Sequence, residues 1–177
     1  MEEYVDELNE FGCKTGNAVT KNDAHKKGLW HRVAVIGVVD KDKNILMQKR
    51  SHDKLQFPDT WDISAAGHVS SGETSLVSAL RELSEEVGIN TNREDLIFIT
   101  SFRDSKTHPS GVIENEYFDV FLKIVDKLDL NDFKMQKEEL EDMKIMNLDD
   151  VIELASSGRL AAKEEAYYRI KEYLEGR

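Results

Sequence analysis

The sequence predicts an α/β sandwich around a mixed sheet. Three features lead there: a β-branched run at Arg32–Asp40, further extended segments after it, and amphipathic helical segments set among and after the strands.

Taken in order, Tyr4–Leu8 and Cys13–Thr20 are expected to pair as a hairpin around Glu10–Gly12. RVAVIGVVD at Arg32–Asp40 reads as a buried strand by its β-branched run. Lys41–Asn44 is a polar turn and Ile45–Lys49 the returning strand. Ser51–Thr60, punctuated by Pro58 and Asp59, is a loop, and Trp61–Val69 reads as extended until Ser71–Gly72 breaks it. A helix is expected from Thr74 or Ser75 to Val87, ended by Gly88 where a left-handed residue is wanted. Strands follow at Leu96–Phe102, Glu116–Val125 and Met143–Met146, then helices at Leu148–Ser156 and Lys163–Leu174. No repeat or Pro/Gly-rich linker interrupts the chain, so residues 1–177 are expected to form one domain.

Composition narrows the function classes. With 40% apolar and 33% charged residues, the chain suits a soluble globular protein with a real core. The 24 Lys and Arg against 35 Asp and Glu leave a charge of −11, which argues against a nucleic-acid partner, because such binding needs a basic face. Cys13 is the only cysteine, so neither an intrachain disulfide nor a cysteine metal cluster is expected. The acidic start MEEYVDELNE is no signal peptide, and the apolar run Val33–Val39 is too short to span a bilayer. The expectation is a cytoplasmic protein with no membrane partner.

The segment Gly67–Ile89 carries the chemistry. Glu73, Glu82, Glu85 and Glu86 crowd around one short helix together with Arg81. Leu76, Leu80, Leu83 and Val87 form its apolar stripe, while Glu82, Glu85 and Glu86 fall within an arc of about 100° facing away from it. Glutamates at i, i+3 and i+4 can converge on a magnesium or manganese ion, since both prefer oxygen ligands and magnesium shares them with substrate phosphates. A solvated charged helix face is the plain alternative.

The register of this segment resembles the Nudix box, G-x5-E-x7-R-E-U-x-E-E-x-G-U with U aliphatic. Gly67, Glu73, Arg81, Glu82, Leu83, Glu85, Glu86, Gly88 and Ile89 fill its constrained positions. The resemblance implies a Nudix hydrolase, an α/β/α sandwich that cleaves a diphosphate linkage. It implies that Glu82, Glu85 and Glu86 bind Mg2+ (or Mn2+ in its place), with Gly67 and His68 in the same metal site. Glu73 and Arg81 would support the loop–helix–loop. Glu82, Glu85, Glu86, Arg81 and Glu116 are the residues expected to carry catalysis.

Beyond the box, residues 25–121 look like the isopentenyl-diphosphate isomerase branch of this superfamily. The carriers are His25 with Gly28–Arg32, Gln48–Val69, and PSGVIENEYFDVF at Pro109–Phe121. That resemblance implies a metal surrounded by His25, His31, His68, Glu114 and Glu116. It also implies that Arg50 and Lys54 hold the substrate diphosphate, with Lys49 adding to a basic cluster that suits an anion. The isomerases place a catalytic cysteine immediately before the Gly of the Gly-His pair, and here that position is Ala66. Isomerisation needs one proton delivered and another removed, and a methyl group does neither.

The sequence therefore points to a magnesium-dependent hydrolase of a nucleoside diphosphate derivative, isoprenoid diphosphate or other small organic diphosphate. The alternatives are an isopentenyl-diphosphate isomerase and a non-catalytic Nudix ligand-binding module. Glu85, Glu86, Glu114, Glu116 and His68 all stand as candidates for the general base. A homodimer is allowed by analogy, with no residue pointing to it.

Overall fold

The computed structural model describes residues 2–54 and 56–176. The expected hairpin forms between β1 (Tyr4–Leu8) and β2 (Lys14–Thr20), with Tyr4 opposite Thr20. β2 runs directly into α1 (Lys21–Lys27), a helix absent from the sequence expectations. The Thr20 hydroxyl caps it by accepting from the Asp23 N–H, and Gly28 closes it at φ 64°. Seven residues burying only Ala24 and His25 leave no apolar stripe for periodicity to reveal.

The main sheet is organised by β3 (His31–Asp40). Along one edge β3 pairs in parallel with β8 (Ile113–Val125), from His31 beside Glu116 to Asp40 beside Val125. Its other edge is shared by two antiparallel partners. β6 (Ala65–His68) takes the first half, with Val33 opposite His68, and β4 (Asn44–Arg50) joins at Val39–Ile45. β5 (Trp61–Asp62) and β9 (Leu140–Asn147) flank β4, and β7 (Ile97–Thr107) is the outer strand beyond β8. The expected loop Ser51–Thr60 joins β4 to β5, apart from Leu55, which lies outside the described residues.

The extended stretch expected at Trp61–Val69 is split into β5 and β6. Ser64 sits in the gap, donating to the Leu46 carbonyl at 2.6 Å and accepting from the Val38 N–H at 2.8 Å. The β7–β8 hairpin runs further than expected, because the polar residues Arg103–Thr107 continue the pairing as far as Ile113. Exposed polar residues hide a strand from an apolar pattern without weakening its ladder.

Alternation along β3 supplies two cores. Val33, Val35 and Val39 face α3 (Leu148–Ser156) and α4 (Glu164–Glu175), meeting Val151, Tyr167 and Ile170. Ala34, Ile36 and Val38 face α2 (Ser75–Val87) through its Ala79, Leu83 and Val87. Helices on both faces of the sheet make the expected three layers. Among the described residues, no helix is long and apolar enough to cross a membrane.

Candidate active site

Because β4 and β6 share one edge of β3, the sheet forks there. A cavity of about 550 Å³ is lined from β3, β4, β6, α2 and β8, and by α1 and the loop after β4. The carboxylate helix α2 forms one wall. Thr74 caps it by accepting from the Val77 N–H, and Gly88 ends it at φ 74° with its N–H on the Leu83 carbonyl.

The glutamates do not point to solvent as the wheel suggested. Glu82 and Glu86 are buried, because β6 packs against this side of the helix and admits them. A Cβ on Gly67 would overlap the Glu82 carboxylate, so glycine is what lets Glu82 lie against the strand. Glu86 accepts the Ala66 N–H at 3.1 Å and the Gln48 amide at 3.1 Å. Burial, reinforced by the neighbouring Glu82 charge, pushes the Glu86 carboxyl up to about 8. Burial raises Glu82 as well, against the pull of Arg81. Glu85 is half exposed at the cavity wall.

Arg81 ties these groups together. It donates to Glu82 at 2.7 Å, to Glu85 at 3.3 Å and to the His68 carbonyl at 3.3 Å, and lies 3.6 Å from Glu73. Glu73 accepts from Ser78 at 2.6 Å, which fixes the entry to the helix. Two buried carboxylates, one of them pushed towards neutrality, form an all-oxygen wall that a hard divalent cation would complete.

A second group lies in the same cavity. β3 and β8 set His31 beside Glu116, β6 brings His68, and α1 brings His25. Their ligand atoms all lie within 4.8 Å of one another. The three imidazole Nε2 atoms stand 3.5, 3.3 and 3.4 Å from Glu116 Oε1 for His25, His31 and His68, and none has a hydrogen-bond partner among the described residues. His31 Nδ1 lies 2.9 Å from the Leu29 carbonyl, so Nδ1 carries a proton and the ring is fixed with Nε2 towards Glu116. Burial pushes the His68 imidazole down to about 4, so it is neutral at pH 7. Burial would raise Glu116, but the surrounding imidazoles outweigh it and hold the carboxyl well below its usual range. Three buried, unpartnered nitrogens converging on a carboxylate fit a divalent ion of the imidazole-binding kind.

Other expected residues divide. Arg50 and Lys54 line the cavity, Arg50 held by Asp62 at 3.1 Å and by the Gln56 carbonyl. Lys49 does not join them, because alternation along β4 turns it towards Glu141 and Asp59. His68 groups with the other histidines rather than with Glu82 and Glu86. Glu114 is buried at the cavity, but its carboxylate meets His108 at 2.9 Å and stands outside the His25–His31–His68–Glu116 group. Sequence reasoning gave no role to His108, Gln48, Lys21 or Asp62; Gln48 and Asp62 lie within the isomerase-like stretch Gln48–Val69, while His108 and Lys21 stand in no motif.

The NUDIX domain family matches residues 30–169. The chain belongs to the Nudix family. A relative is Nudix hydrolase 3 of Arabidopsis thaliana, 39% identical over 146 residues that make up 81% of this chain. The match spans only 19% of the length of that plant protein. Isopentenyl-diphosphate Delta-isomerase 2 of Photorhabdus laumondii is 35% identical over 72% of this chain and 68% of its own. Among solved structures, DR0079 from Deinococcus radiodurans superposes with a TM-score of 0.71 at 19% identity, covering 96% of this chain and 98% of the other, which bears on the fold. The Nudix fold and the isomerase-like likeness expected from the motifs therefore both hold.

Proposed function

We propose that this Nudix protein hydrolyses a diphosphate linkage in a small organic diphosphate, with Mg2+ as cofactor and Mn2+ as a substitute. One juxtaposition carries the reading: Glu82, Glu85 and Glu86 share a cavity with Arg50 and Lys54, while Ala66 stands beside them without a proton to give. Glu82, Glu85 and Glu86 would hold the cation, which when bound supplies Lewis acidity towards phosphate oxygens and water.

The chain's own groups do the rest. Arg50 and Lys54 bind the diphosphate, Arg50 as a planar fork and Lys54 as a point charge. Arg81 keeps Glu82 and Glu85 in register, and the Ala66 N–H fixes Glu86. Glu85, half exposed and held among the described residues only through Arg81, would also accept a proton from the attacking water, through the carboxylate oxygen the cation does not engage. His25, His31, His68 and Glu116 would hold a second cation of nitrogen-ligand preference.

The histidine group also favours a second reading, an isomerase, because it brings together four of the five residues expected for that branch, all but Glu114. Ala66 weighs against it. The test is a magnesium-supplemented screen of nucleoside, isoprenoid and other organic diphosphates, with orthophosphate and pyrophosphate measured separately. Magnesium-dependent release of either supports hydrolysis. Conversion of isopentenyl to dimethylallyl diphosphate without phosphate release supports the isomerase.

A further inference from the structure

We propose that Glu139 is the resident counterion of Lys54, displaced when a diphosphate binds, so that it sets how tightly the cavity holds an anion; this rests on the diphosphate reading above. The segment that carries Glu139 straps the two halves of the site together. The Gln136 N–H donates to the Glu86 carbonyl at the end of α2 (3.0 Å), and the Ser51 N–H at the start of the basic loop donates to the Glu139 carbonyl (2.9 Å). Glu141 Oε1 accepts from the His52 N–H at 3.0 Å. Position 139 is thus pinned through its backbone, at the mouth of the cavity.

The Glu139 side chain pairs with Lys54 Nζ, and both line the cavity. Three of the cations that line the cavity each face a carboxylate: Lys54 Glu139, Arg50 Asp62, and Lys21 Glu3. The partners differ in what they can do. Asp62 is buried and also accepts the Ile63 N–H, so it is a fixed orienter of Arg50. Glu139 is about one-third exposed, and among the described residues its carboxylate meets Lys54 alone. It can swing out without breaking any other contact. Burial, together with the nearby Arg50 and Lys21, works against the charge on Lys54, so an anion beside it is favourable whether it comes from Glu139 or from a phosphate. An incoming diphosphate must therefore compete with Glu139 for Lys54 and tolerate its charge close by.

The sign of one substitution separates this role from a structural one. A counterion that competes with the ligand weakens binding, so its removal tightens it. A residue that merely holds Lys54 in place strengthens binding, so its removal loosens it. Isothermal titration of magnesium pyrophosphate into wild type, Glu139→Gln, Lys54→Met and the double variant reads this out, with melting curves to verify that each is folded. The expected result is about tenfold tighter binding by Glu139→Gln, and a much smaller gain from the same change in the Lys54→Met background. Unchanged or weaker binding by Glu139→Gln would overturn the proposal, as would an equal gain in both backgrounds. If none of the four proteins binds magnesium pyrophosphate, the diphosphate reading itself fails and the proposal falls with it.

Discussion

Glu82 rests in the space that a side chain at Gly67 would fill. The first glycine of the box and its first helical glutamate are thus one packing unit. Gly67 has no positive φ, so its requirement is steric rather than conformational.

Gly67→Ala should therefore leave the backbone intact and push Glu82 off the strand. Displacing a supporting contact of this kind costs metal affinity about 10- to 100-fold. Magnesium or manganese titration of the folded variant, with its melting temperature alongside, checks the loss. Wild-type affinity would mean that Glu82 is no ligand.

Glu85→Gln and Glu86→Gln should each lose most turnover while keeping the fold. An amide oxygen at position 86 still accepts the Ala66 N–H, so the β6 contact survives. Steady-state rates at saturating magnesium, on the substrate the screen identifies, are the measurement. Near-normal turnover in both variants would sink the metal assignment.

In the metal-free protein two groups should shift stability with pH in opposite directions. Glu86 has its folded pKa raised to about 8, so the stability tied to its protonated form is lost as pH rises from about 4.5 through 8. His68 has its folded pKa lowered to about 4, so its contribution is lost as pH falls from about 6.5 to 4. In chelator, Glu86→Gln should melt above wild type at pH 8, with the gap closing towards pH 5. A pH-independent gap would contradict the burial argument.

Much of this was legible along the chain, and the reasons differ by element. The box could be read because its spacing is local, one helix and its two caps, and Gly88 stands in the left-handed conformation its position required. Strands β3 and β4 followed from apolar runs. What stayed hidden depends on contacts between distant segments. The burial of Glu82 and Glu86 is created by β6 and Gln48, which a helical wheel cannot include. His25 was expected from the resemblance, but the helix that brings it in is too short to show periodicity, and the His108–Glu114 pair needs the hairpin tip to close first.

The histidine group yields a spectroscopic prediction. Cobalt(II) added to metal-free protein should give visible absorption from a nitrogen-rich site, and His31→Gln should abolish it while leaving magnesium affinity at the glutamates within about threefold of wild type, since the two donor sets differ in hardness. Identical cobalt spectra in both proteins would remove His31 from the ligand set.

The central claim is attack by water at phosphorus, dependent on the box glutamates. The most direct measurement is turnover in 18O-labelled water of the diphosphate substrate the screen identifies, with products analysed by phosphorus NMR. The label should appear on a phosphate product, only with magnesium present, and vanish with Glu86→Gln. Label absent from phosphorus, or an isomerised diphosphate with no phosphate released, would contradict it.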